Sequence, residues 1–163
     1  MLNQSLIPEF QHETANTLKM LKAVPQEHFG WRPHEKSMTL GRLASHVAQI
    51  PGYMTMALTT DEFNFANRTT KPVEAQSSEE LIQLFEQSKS KALEELQNAS
   101  DEALRTNWKL MRGDFTILDL PRIAVLRTLV MNHMIHHRGQ LSVYLRLLHI
   151  PVPGMYGPSA DEQ

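Results

Sequence analysis

Three histidines crowd one short stretch of this chain, at positions 133, 136 and 137 of Asn132-His-Met-Ile-His-His-Arg-Gly-Gln140. Successive residues of an α-helix turn by about 100°, which leaves His133 and His137 about 40° apart on one face, one turn from each other. Two imidazoles so related can each give one nitrogen to a shared ion at about 2.0–2.2 Å. His136 falls about 60° to the other side of His133 and about 100° from His137, so it is the weaker ligand candidate. A pair holds a metal poorly, and a third ligand should come from another helix. His46 is best placed for that, in Leu43-Ala44-Ser45-His46-Val47-Ala48-Gln49, with Leu43, Ile50 and Ala57 on its side. His12, His28, His34 and His149 lie in polar or terminal surroundings.

Spacing alone leaves two readings open: hydrogen-bonded core histidines, or one metal site. Burying imidazoles unpaired costs about 1–3 kcal/mol for each polar group, and a shared cation satisfies them together. The chain has no cysteine, so any transition metal must be held by imidazole and oxygen ligands. Three neutral imidazoles leave a coordination position open and offset none of the ion's charge, so a bound water or thiol loses its proton more readily. Two reaction classes follow, thiol S-transfer and hydrolysis.

Around the histidines, Gln140 and Tyr144 are the candidate assisting residues. Gln140 reads as core-facing, and it either serves the site or bonds a facing helix. Tyr144 continues the ligand stripe and either points its hydroxyl to the cavity or fills the core. Arg138 points about 100° away from the ligand face and reads as an ion-pair or interface residue. Gly139 reads as a close helix approach, and Trp31 and Tyr156 as pocket walls or packing plugs. No Ser/His/Asp signature, phosphate loop or dinucleotide fingerprint is present. The 9 methionines are scattered along helix faces as core filler.

Four helical stretches would have to position these groups. The first runs from about Asn3 to Val24 and ends at Pro25. The second, capped by Ser37 or Thr39, runs through Leu40, His46 and Leu58, with a kink or break expected near Ile50 because Pro51 and Gly52 follow. Residues 61–76 are polar and read as a loop. Ser77 and Glu80 have capping-box spacing ahead of a third helix ending near Asn98. Trp108 to Leu118 reads as a small hairpin around Gly113, or an ordered loop. Asp119 and Pro121 are start signals for a last helix of about 28 residues, with Leu126, Val130, Leu141, Tyr144 and Leu148 on the ligand stripe.

The sum is an all-α four-helix bundle, with that small β-hairpin before the last helix, in a single domain over residues 1–163. A hydrophobic fraction of 41% supplies a core. A net charge of −2, without a dense Lys/Arg cluster, argues against nucleic acid as a partner. No stretch approaches the roughly 18 to 20 apolar residues of a membrane span. Glu9, His12, Glu13 and Lys19 break up any signal-peptide core, and the lack of cysteine suits a reducing cytoplasm.

The histidine segment, Trp31-Arg32-Pro33, Leu43-Ala44-Ser45-His46, Tyr144-Leu-Arg-Leu-Leu148 and Ile150-Pro-Val-Pro153 together resemble the DinB/YfiT-like superfamily over nearly the whole chain. The resemblance implies a metal-binding four-helix bundle with three histidine ligands, one from the second helix and two from the fourth. That pattern falls on His46, His133 and His137 without departure. It implies zinc, nickel or iron as the divalent ion, a small-molecule substrate and a homodimer. Characterised relatives include transferases and isomerases that use low-molecular-weight thiols such as bacillithiol or mycothiol, so such a thiol is the implied cosubstrate. The alternative is a non-catalytic, metal-stapled stress or interaction protein.

Overall fold

Apolar residues at helical spacing begin at Leu6, and in the computed structural model, which describes residues 1–69 and 71–162, helix α1 spans Asn3–Lys22. Helix α2 (Leu40–Gln49) is capped by the Thr39 hydroxyl, which accepts from the Arg42 N–H. It breaks at Ile50, and α3 (Pro51–Thr59) starts with the proline where a missing N–H is tolerated. Helix α4 (Ser78–Asn98) has Ser77 as its N-cap, accepting from Glu80 N. The short α5 (Asp101–Arg105) leads into the sheet. The fold is mostly helical, with α4 packed against α1, α2 and α3, and the C-terminal helix against α1 and α2.

The sheet is larger than a hairpin. Strands β2 (Asn107–Arg112) and β3 (Phe115–Pro121) are antiparallel around Gly113, whose φ of +60° lies in the left-handed region that glycine adopts freely. Strand β1 (Glu62–Asn64), inside the stretch expected to be loop, pairs parallel with β2. The Asn64 amide holds it there, donating to Gly113 O and accepting from Gly113 N, both at 2.9 Å. Trp108 is fully buried, its Nε1 donating to the Thr60 hydroxyl at 3.0 Å. The buried Arg122 guanidinium donates to the carbonyls of Ala57 and Thr60 at 2.8 Å each, closing the C-terminus of α3.

The expected start of the last helix at Asp119 is corrected. Asp119 belongs to β3 and accepts from the Asn107 amide across the sheet at 2.9 Å, with Lys109 beyond it at 3.8 Å; cross-strand pairing overrides the helix-start signal. Helix begins only at α6 (Arg122–Val125), widens to a π-helical segment over Leu126–Asn132, and continues as α7 (His133–Leu147). The single continuous helix of the sequence reading is therefore interrupted immediately before the first histidine.

Buried side chains form two apolar clusters, one containing Phe10, Met54, Trp108 and Val130, the other Leu21, Leu43, Phe85 and Leu141. Along α1 the chain passes from one cluster to the other through Glu13 and Thr17, which are buried and polar. Along α7 the crossing point is His137–Arg138, and at the end of α2 it is Gln49, between Ala48 of one cluster and Ile50 of the other. A polar layer thus separates the two apolar halves.

Candidate metal centre

His46 projects from α2, and His133 and His137 from α7, one turn apart as their spacing requires. The structure brings all three together, with one ring nitrogen of each lying within 4.8 Å of the others. Nε2 of His133 is 2.9 Å from Nε2 of His137 and 3.3 Å from Nε2 of His46. Three nitrogens bound at about 2.1 Å to one ion, in tetrahedral or octahedral angles, would stand about 3.0–3.4 Å apart.

The other ring nitrogens decide what occupies that centre. His137 Nδ1 lies 2.7 Å from Gln140 Oε1, and His133 Nδ1 lies 3.3 Å from Leu129 O. Carbonyl oxygens only accept, so Nδ1 donates in both rings, and in a neutral imidazole Nε2 is then a bare lone pair. His133 and His137 therefore point lone pair at lone pair. A shared cation turns that repulsion into coordination, and the residues fit a divalent metal on this ground. The two acceptors are the outer partners that fix tautomer and ring orientation in histidine metal sites.

The π segment prepares one of them. An α-helix would give the His133 N–H to Leu129 O, but here it goes to Val130 O. The Leu129 carbonyl is instead the partner of the His133 ring.

Burial keeps the three rings neutral. It lowers His46 from 6.5 to about 4, helped by the neighbouring His137, His133 and Arg42. Burial, with His137 next, also lowers His133; burial, with His136 behind it, lowers His137, against the raising effect of Gln140. Metal ligation requires this unprotonated form.

Other expectations move. Gln140 is exposed rather than core-facing, and reaches the site only through His137 Nδ1, because its own helix turns it outward. Tyr144 does not point its hydroxyl at the triad; it donates to Met38 O at 3.2 Å while its ring meets Trp31 edge-on at 5.7 Å. His136 is exposed, its ring 4.8 Å from that of His137. A Cβ at Gly139 would meet nothing within 4 Å among the described residues, so no helix is seated closely there. Arg138 is the ion-pair residue that its direction implies: only 2% exposed, it donates to Glu13 Oε2 at 2.7 Å, Glu13 O at 2.9 Å and Thr17 Oγ1 at 3.1 Å. Tyr156 closes this cluster with its hydroxyl 2.8 Å from Glu13 Oε2 and does not wall the histidine site.

A cleft of about 760 Å³ opens beside His46 and His137. Its far wall is the segment after residue 70, which α2 holds in place. The Gln49 amide donates to Val73 O at 2.8 Å and accepts from Val73 N at 3.2 Å, and the buried Ser45 hydroxyl accepts from Ala75 N. Tyr53 forms another wall, its ring stacked on His133 with planes 7° apart. Sequence reasoning missed Gln49 and Tyr53, although both follow His46 at helical spacing, three and seven residues on.

A model of the DinB family matches residues 1–163. The chain belongs to the DinB family. The uncharacterised protein YrdA of Bacillus subtilis is 26% identical to it over 160 residues, covering 96% of this chain and 89% of YrdA. Among solved structures, a DinB-like protein from Bacillus cereus superposes with a TM-score of 0.74 at 24% identity, over 94% of this chain and 97% of that one. The DinB-like protein YjoA of Bacillus subtilis gives a TM-score of 0.70 at 20% identity, over 98% and 99%. Both share the fold. This DinB-family chain therefore has three histidines that could hold a metal ion on a mostly helical frame.

Proposed function

We propose that this DinB-family protein holds one divalent metal ion on His46, His133 and His137 and acts with it as an enzyme on a small molecule. One observation carries the reading: two Nε2 lone pairs face each other at 2.9 Å, with a third imidazole nitrogen 3.3 Å from one of them, beside a cleft of about 760 Å³. When bound, such an ion supplies Lewis acidity that favours the deprotonated form of a water or thiol. The chain's own groups do the rest. Leu129 O and Gln140 Oε1 hold the rings in the ligating tautomer, and Tyr53 shields one side of His133. The cleft admits a substrate at His46 and His137.

Within this reading, thiol S-transfer stands slightly ahead of hydrolysis, with a low-molecular-weight thiol as cosubstrate. Zinc, nickel and iron all suit an all-imidazole set. The finer architecture is a four-helix bundle of α1, the α2–α3 pair, α4 and α7, and the exposed Val143 and Leu147 on α7 would supply the face of a homodimer.

Elemental analysis of protein purified without added metal tests the centre: the expected result is one ion per chain, lost in His133→Ala. Metal-free wild type that takes up no zinc, nickel or iron on titration would sink it. Incubating the loaded protein with a thiol panel and a model electrophile then tests the reaction class. A second reading, an ion that only staples α2 to α7, is favoured by the ligands' split between those helices. It predicts normal metal uptake and no turnover with any thiol or ester.

A further inference from the structure

Two cavities meet beside the triad. The first is the cleft onto which His46 and His137 open. The second, about 330 Å³, is bounded by Met56, Phe63, Phe65, Leu110 and Leu129. Tyr53 and Arg68 line both, so the two are neighbours. Two residues that line the hollow also reach the triad: the Tyr53 ring stacks on His133, and the Leu129 carbonyl accepts from it.

The two differ in chemistry. The hollow is built mainly from aromatic and aliphatic side chains of α3, β1, β2, the π segment and the Phe65–Asn67 turn, with Asn67, Arg68 and Thr69 along one side, and its size falls in the range of small-molecule pockets. Phe65 remains 39% exposed, apolar surface that a ligand would cover. Among the described residues, the cleft lining instead carries Arg42, Arg68 and Lys71 with one carboxylate, Glu74, which stands 4.0 Å from Arg42. This excess of positive charge is local, since the whole chain carries a net charge of −2. A cleft lined by one sign of charge concentrates ligands of the other.

We propose that the site takes an amphipathic anion. Its apolar body lies in the Phe63–Leu110 hollow, and its carboxylate, or an equivalent oxyanion, faces Arg68 and Lys71. Its reacting group is left beside the triad, and only this last contact rests on the metal-enzyme reading above. A neutral molecule of the same shape forgoes the charge contacts, and an amine meets like charge. A small polar anion leaves the hollow unfilled.

Calorimetry with octanoate, 1-octanol, octylamine and acetate separates these cases, because the first three share a chain and the first and last share a head group. On metal-free wild-type protein, octanoate is expected to bind about tenfold or more tighter than octanol, the worth of one charge-assisted contact. Octylamine and acetate are expected to bind more weakly still. Arg68→Glu combined with Lys71→Glu, both at exposed positions, should remove the preference for octanoate over octanol. Phe65→Ala should weaken octanoate and octanol together. Octanoate binding no tighter than octanol, or a preference untouched by the charge reversal, overturns the proposal. Zinc titration of the same samples reads the triad separately, so loss of the anion site with full zinc uptake leaves the metal centre standing.

Discussion

Gln140 is not among the described residues that line the cleft, yet it holds the His137 ring through a 2.7 Å hydrogen bond to Nδ1. Removing that acceptor frees the ring to rotate and to place its proton on either nitrogen, so the ligating tautomer is no longer selected. Gln140→Ala should therefore weaken zinc binding by about tenfold, at the low end of what loss of an outer partner costs. Gln140→Glu, which keeps an acceptor and adds charge, should restore or exceed the wild-type affinity. Competition against a chromophoric chelator measures both. Because Gln140 is exposed, neither change should move the stability of the metal-free protein by more than about 0.5 kcal/mol, the usual limit for a surface substitution. Equal zinc affinity in Gln140→Ala and wild type would remove the residue from any positioning role.

At the level of the histidines α7 meets α2 through the triad and α1 through the Arg138–Glu13 pair. The pair is buried, with Arg138 donating to both the carboxylate and the carbonyl of Glu13. Glu13→Leu should cost about 3–5 kcal/mol, because it strands a buried guanidinium, while the same change combined with Arg138→Met should cost much less than the two single changes added together. Urea unfolding of the four proteins closes that cycle, and additive losses would show that the pair has no coupling. The elements themselves divide by what sets them. The Thr39 and Ser77 caps, the break at Ile50 and the Gly113 hairpin were legible because each is a local rule obeyed by neighbouring residues. So was the inward direction of His46, His133 and His137, which follows from helical period alone. Strand β1 was not, because its partner lies 47 residues away in β2 (Glu62 opposite Lys109) and its own residues, Glu62, Phe63 and Asn64, carry no alternating run. Neither was the π segment, a change of hydrogen-bond register that leaves no mark in apolar spacing, nor the role of Arg68 and Lys71, whose shared cleft exists only once the chain has folded over α2.

For the molecule as a whole, folding and metal binding draw on the same imidazole protons, and the sign of the coupling follows from the shifts at the triad. His46 titrates near 4 in the folded chain against 6.5 ordinarily, and His133 and His137 are lowered too. Between those limits the unfolded chain binds more protons than the folded one, so the stability of the metal-free protein rises with pH there. It is lost progressively as pH falls from about 6.5 toward about 4. The same shifts protect metal affinity. A ligand that titrates at its ordinary value competes with protons as soon as pH drops below 6.5, weakening binding by about tenfold per further unit and per ligand. Ligands kept neutral by burial escape that competition until nearer their lowered values. Zinc Kd measured by chelator competition should therefore rise far less between pH 7.5 and pH 6 than it would with three ligands titrating at 6.5, while the thermal midpoint of the metal-free protein already declines below 6.5. A zinc-loaded sample should unfold at a higher temperature throughout, by an amount set by free zinc relative to Kd. Zinc affinity falling steeply from pH 6.5 downward, with a flat thermal midpoint for the metal-free chain, would mean that the three rings titrate as solvated histidines and that burial does not hold them ready for an ion.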